Sequence, residues 1–170
     1  MKITAQEEYG LRCLLRVAKT ENESVTLPEV AAAEGLSVPY VAKLMAVLRQ
    51  AGLVDSVRGR SGGYKLARSA DDIGLGSLLL ILGEPLFDEV DYCQKHAGTE
   101  APGGVCLNHR TCTLKSLWQT LEQWMRHTLD QITLADLIQN ESRVTDLLRE
   151  RLALAVLEDS PLLSLNVVTK

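Results

Sequence analysis

Apolar residues recur at helical spacing over residues 4–19 (Tyr9, Leu11, Leu14, Leu15, Val17, Ala18) and predict a first helix. Thr26 followed by Glu29 is a capping-box pair with Pro28 in the first turn, so a second helix runs from there and stops at Gly35. Ser37 opens a third helix. Pro39 stands in its first turn and Val41, Leu44, Val47 and Leu48 share one face, up to Ala51-Gly52. The period then changes from helical to twofold. Leu53 to Val57 and Tyr64 to Ala67 alternate like strands around the turn Arg58-Gly59-Arg60-Ser61-Gly62-Gly63. Asp71 is placed to cap a further helix through Leu75, Leu78, Leu79, Ile81 and Leu82, ending at Gly83. Residues 88–113 have no period. From Leu114 to about Leu137 a long helix is expected, with Leu114, Leu117, Trp118, Leu121, Trp124, Met125, Thr128, Leu129, Ile132 and Ala135 in one stripe. A charged helix follows from Glu141 to about Glu158, and then an apolar tail with no assigned role.

Two short helices about a glycine-containing turn, followed directly by a basic hairpin, predict a winged helix-turn-helix. The expected fold is mainly α with a small β-hairpin wing and a long dimerisation helix. Residues 1–83 would form the DNA-binding domain, 84–113 a cysteine-containing loop, 114–140 the dimerisation helix and 141–170 a helical tail. Ser37, Tyr40 and Lys43, at the start of the third helix, are the candidates for base contacts. Arg58 and Arg60 in the wing would enter a minor groove or bind phosphate. The long stripe suits a homodimer, which would set two recognition helices on a palindromic site; packing within one chain is the other reading.

The net charge of −4 runs against DNA binding until its distribution is considered. Between Ser37 and Arg68 six basic residues face the single acid Asp55, so that segment carries +5 and the remainder −9. A local basic face neutralises phosphates, while the acidic remainder limits indiscriminate binding. The apolar run Leu78 to Leu82 is far too short to cross a bilayer, and a reducing cytoplasm is the expected compartment. No nucleotide loop, acid–base pair or nucleophile motif is present, so an enzyme is not expected.

Three of the four cysteines, Cys93, Cys106 and Cys112, lie within twenty residues, among Gly98, Gly103 and Gly104. Thiolates in such a loop suit an iron–sulfur cluster or zinc, and the trio could also form a metal-free thiol sensor. Cys13, among apolar neighbours of the first helix, reads as a structural thiol. His96 and His109 read as solvated, and His127 as packing or surface.

The wing Val57-Arg58-Gly59-Arg60-Ser61-Gly62-Gly63-Tyr64, the turn Ser37-Val38-Pro39-Tyr40, the cysteine trio and the stretch Ile132-Thr133-Leu134-Ala135-Asp136-Leu137 together resemble the iron–sulfur winged-helix regulators represented by IscR, NsrR and RsrR. The likeness covers roughly residues 1–140 and runs nearest to the NsrR and RsrR types. It implies a cytoplasmic homodimer that binds double-stranded promoter DNA and represses or activates. Its response to redox state, nitric oxide or iron–sulfur supply would come through a 2Fe–2S or 4Fe–4S cluster. Twelve residues separate Cys93 from Cys106, a longer insertion like that of RsrR, and five separate Cys106 from Cys112. The IscR type has a histidine three residues after the last cysteine; here that position is Lys115. The NsrR and RsrR types borrow a carboxylate from the partner's first helix, and Glu8 stands at the matching place, beside Glu7. The histidine that RsrR adds one turn later is Arg12 here. The ligand set implied is therefore Cys93, Cys106, Cys112 and Glu8 of the other chain, with His109 as the rival fourth ligand. A cluster-free, thiol- or effector-responsive repressor is the alternative.

Overall fold

The computed structural model describes residues 3–20, 23–59, 62–85, 87, 89–98, 106, 108, 110–139 and 141–158. Helix α1 (Ala5–Ala18) begins with a complete capping box. The Thr4 hydroxyl accepts from the Glu7 N–H, and the Glu7 carboxylate accepts from the Thr4 N–H at 2.7 Å. Helix α2 (Leu27–Glu34) repeats the device with Thr26 and Glu29. The turn into α3 (Val38–Gln50) is made by Gly35, whose φ of 65° is open to glycine without strain. Ser37 occupies the N-cap position of α3, but its side chain makes no capping bond, so its hydroxyl is not consumed by the helix.

Strands β1 (Val54–Val57) and β2 (Gly63–Leu66) pair antiparallel, Val54 opposite Leu66 and Val57 opposite Gly63. Val25, just before α2, bridges to Tyr64 and ties the wing to the helical body. The core lies where α1, α2, α3 and the hairpin meet. Leu14, Val41, Leu44 and Leu48 are buried there, at positions that the periodicity assigns to one face, and Met45, Leu53 and Val54 join them.

The rest of the chain departs from expectation in three places. Asp71 does not cap a helix; it lies in a 3-10 turn (Ala70–Asp72), and the next helix, α4 (Leu75–Leu82), starts after Gly74. The segment without period contains a short helix, α5 (Glu89–Lys95), which packs against the following helix. The helix expected over 114–137 is two helices. Helix α6 (Thr113–Asp130) ends at Gln131, and α7 (Leu134–Ile138) restarts with its own capping box between Thr133 and Asp136. The final helix, α8 (Glu141–Glu158), follows as expected and packs on α6 and α7.

The break in the long helix divides its apolar stripe. Leu114, Leu117, Trp118, Leu121 and Trp124 are between 37% and 56% exposed. Thr128 and Ile132, further along, are buried within their own chain. Packing within one chain therefore accounts for the C-terminal end of the stripe, and the N-terminal end stays exposed. The C-terminal end of α6 packs on α4, whereas the exposed apolar residues from Leu114 to Trp124 cover about 15 Å of helix rise.

Candidate DNA interface and cysteine loop

Ser37 and Lys43 are exposed on α3, and Arg58 is exposed at the start of the wing turn. Arg60 lies outside the described residues. Tyr40 is half-buried, because its ring meets Tyr9 of α1 edge-on at 6.1 Å. That contact fixes the start of α3 against α1 and leaves Tyr40 only partly available to a partner. Arg49, Lys65 and Arg68 are exposed too, so the positive charge of the 37–68 segment reaches solvent rather than being absorbed internally.

An ion ladder that the linear sequence did not suggest runs along α1. Arg12 Nε lies 3.6 Å from Glu8 and 3.7 Å from Glu34, the last residue of α2; the Arg16 guanidinium lies 3.3 Å from Glu34. Arg12 also sits over the Tyr9 ring at 5.9 Å. Glu34 is the inner member, and the arginines and Glu8 are half-exposed, so solvent screening keeps each pair weak. Of the two adjacent glutamates, Glu7 is spent on the α1 cap and Glu8 points outward.

Cys93 lies in the last turn of α5 and Cys112 is the N-cap residue of α6, its sulfur accepting from the Lys115 N–H at 3.3 Å. Cys106 stands between them in sequence. All three are half-buried and none is in a disulfide. A polar depression of about 390 Å³ opens beside Cys112, lined by Arg110, Thr111, Lys115, Ser116 and Gln119. The donor chemistry fits a soft metal group: three thiols border one loop, two of them at helix ends that give defined directions of approach. Among the described residues, no three histidine, cysteine, aspartate or glutamate side chains are gathered at metal-holding separation. His109 lies outside the described residues. His127 is exposed on α6. Cys13 is wholly buried; burial, and secondarily the charge of Glu34, push its thiol up to about 11, which makes it inert near neutrality.

His96 has an organisation that its sequence position did not signal. It extends the last turn of α5, with its N–H bonded to the Tyr92 carbonyl at 3.1 Å. Its ring Nδ1 lies 2.8 Å from the same carbonyl, and its ring packs on that of Tyr92 at 4.6 Å. Tyr92 in turn packs on buried Phe87.

Among the described residues, no single helix is long and apolar enough to cross a membrane. Residues 3–140 match the Rrf2 family, described as iron-dependent transcriptional regulators. The chain is 36% identical over 146 residues to the HTH-type transcriptional regulator IscR of Cereibacter sphaeroides, covering 84% of this chain and 90% of that protein. The solved structure of T. potens IscR is similar at a TM-score of 0.61 and 34% identity, over 81% of this chain and 86% of that one. The structure of CymR, the global cysteine regulator of B. subtilis, is similar at a TM-score of 0.61 and 29% identity, over 81% and 96% of the two chains. The mainly helical fold with its two-stranded wing is that of these winged helix-turn-helix regulators. The chain belongs to the Rrf2 family, as a DNA-binding transcription regulator and not an enzyme.

Proposed function

We propose that this regulator acts in the cytoplasm as a homodimer on double-stranded promoter DNA and senses redox state, nitric oxide or iron–sulfur supply through a cluster bound by Cys93, Cys106 and Cys112. The observation that carries the reading is the placement of three thiols, none in a disulfide, around one loop that begins at the end of α5 and ends at the N-cap of α6. A cluster there would supply a redox- and nitric-oxide-sensitive centre whose loss releases the loop. The fourth ligand is not a thiolate, since the remaining cysteine, Cys13, is buried in the core. Lys115 replaces the histidine that the IscR type carries, which favours the NsrR- and RsrR-like arrangement in which Glu8 of the partner chain supplies a carboxylate. Glu8 is exposed and has Arg12 as its alternative companion.

The exposed apolar stripe of α6, Leu114, Leu117, Trp118, Leu121 and Trp124, supports pairing of two copies through this helix. Pairing through it would present two copies of α3 and two wings to a palindrome. Ser37, Tyr40 and Lys43 would face base edges, and Arg58 and Arg60 the minor groove or the backbone.

Anaerobic purification tests this directly. Coloured protein with near-stoichiometric iron and acid-labile sulfide, lost in Cys106→Ala, is expected. Colourless protein containing zinc, or no metal, overturns the cluster. A second reading, a cluster-free thiol- or effector-responsive repressor, is favoured by the absence of an assembled three-donor group among the described residues. DNA affinity that responds to oxidant in metal-free protein, and no longer does in Cys106→Ala, would select the thiol form.

A further inference from the structure

Helix α3 is apolar on both sides. Val41, Leu44, Met45 and Leu48 turn inward and are buried. The outward and flanking positions from Val38 to Ala46 hold Val38, Pro39, Ala42 and Ala46, with Lys43 as the charged side chain among them. Val38 is 41% exposed, Pro39 and Ala46 are exposed, and Ala42 is half-buried. A helix on a protein surface ordinarily turns polar and charged residues outward, whereas one that is apolar all round is covered on both sides. Single exposed apolar residues are common, but a run of them along one helix implies a covering surface. Helix stability does not account for Val38, because a β-branched side chain lowers helix propensity.

The surroundings of this face define what covers it. Lys43 and Arg49 are exposed on α3, Lys65 and Arg68 are exposed in and just after β2, and Arg58 is exposed at the wing turn. The covering surface is therefore anionic at its rim and apolar at its centre. Duplex DNA has this form, since its phosphates border a major groove in which thymine displays a 5-methyl group. The N-terminal residues of a recognition helix are those that reach base edges. Val38 is the first residue of α3, and Ala42 lies one turn later on the same side.

We infer that Val38, with Ala42 beside it, reads the 5-methyl groups of thymines in the major groove and is a specificity-determining residue of this regulator. This rests on the reading that α3 faces the bases, and deepens it by naming the base. A thymine methyl packs on the valine methyls. Cytosine leaves a gap there, and a purine N7 would be desolvated against a side chain that has no donor to offer it. Lys43, a donor to guanine O6 or N7, supplies polar readout on the adjoining row of the helix. A methyl contact releases no counterion, so its loss lowers affinity without altering the slope of log affinity against log salt.

Replacing thymine by deoxyuridine removes the methyl and nothing else. Full-length, anaerobically purified protein is first used to select its preferred duplex from random sequences. Each thymine of one half-site is then replaced in turn by deoxyuridine, and binding is titrated at several salt concentrations. One or two replacements are expected to weaken wild-type binding by about fourfold each, the worth of one buried methyl group, with the salt slope unchanged. Val38→Ala should bind the thymine and uracil duplexes almost equally, and Val38→Ile should restore the difference. The inference is overturned if no thymine is sensitive to loss of its methyl, or if the sensitivity persists undiminished in Val38→Ala. Selection repeated with Lys43→Ala and Val38→Ala separates the two levels. A changed preferred sequence in Lys43→Ala, with no methyl-sensitive thymine in the wild type, overturns the Val38 assignment alone. Unchanged preferred sequences in both variants overturn the placement of α3 at the bases, and this inference with it.

Discussion

Asp130, the last residue of α6, accepts hydrogen bonds at one carboxylate oxygen from both the backbone N–H of Ser77 at 2.9 Å and the Ser77 hydroxyl at 3.2 Å. The first turn of α4 is thereby capped from a helix fifty-three residues away in the chain, in place of a capping side chain of its own. Two backbone bonds flank this clasp, from the Leu75 N–H to the Ile132 carbonyl and from the Leu134 N–H to the Ile73 carbonyl, both 2.8 Å. The C-terminal end of α6 is therefore locked to the DNA-binding unit, while its N-terminal end carries Cys112.

Removing the clasp should loosen this joint. Asp130→Ala is expected to cost about 1–2 kcal/mol in urea unfolding, the range of lost helix caps. Gly76→Ala should cost about 1–3 kcal/mol, because a Cβ there would stand 2.7 Å from the Arg126 carbonyl oxygen and 2.9 Å from Asp130 Oδ1. A change below about 0.3 kcal/mol for both variants would mean that the clasp does not hold α4.

The exposed half of the α6 stripe makes a separate prediction. If the proposed dimer forms through this face, Trp118→Glu and Leu121→Asp should each sediment as monomer at micromolar concentration where the wild type sediments as dimer, as a buried apolar side chain is worth roughly 1.5–3 kcal/mol. Thermal unfolding monitored at high concentration should shift downward accordingly. Unchanged sedimentation in both variants would place the dimer contact elsewhere.

In the wing, Arg58→Ala is expected to weaken operator binding strongly if the guanidinium enters the minor groove. Neutralising a phosphate contact instead reduces the slope of log affinity against log salt by roughly one unit, with similar losses on unrelated sequences. Titrations at several salt concentrations on operator and random DNA separate the two. No effect on either would remove Arg58 from the interface.

Cys13 gives a pH-dependent prediction. Its folded thiol titrates at about 11, above its unfolded value of 9.0, so the native state holds a proton that the unfolded chain releases between those pH values. The protonated thiol's contribution, of order 2–3 kcal/mol, is fully present below pH 9 and declines as pH rises through 11. Unfolding in urea should show that loss in the wild type and a smaller one in Cys13→Ala, compared as slopes against pH. In folded, metal-free protein at neutral pH, thiol reagents should label Cys93, Cys106 and Cys112 well before Cys13.

The features legible in the linear chain were those whose physics is local. Thr26 and Glu29 cap α2 because they stand three residues apart, and Gly35 turns the chain because it lacks a Cβ. The wing follows from alternation around a glycine-rich turn, and Cys13 is buried because its neighbours on α1 are apolar. The Thr133–Asp136 capping box is equally local, but the sequence reading ran one helix through it, and the structure shows that it divides the apolar stripe into two helices. The periodicity obscured it, since Ile132 continues the stripe while packing in a different direction. What only the tertiary structure decided were pairings between distant residues: Asp130 with Ser77, Arg12 with Glu34, Tyr9 with Tyr40. A polar side chain's partner depends on which helices meet, and helix packing is set by the summed burial of many apolar residues rather than by any local pattern. The sequence singled out the thiols by their intrinsic chemistry, whereas Glu8 entered only through the family resemblance. The orientation of His96 came from the stacking of Tyr92 on Phe87, a contact that exists only once α5 is folded.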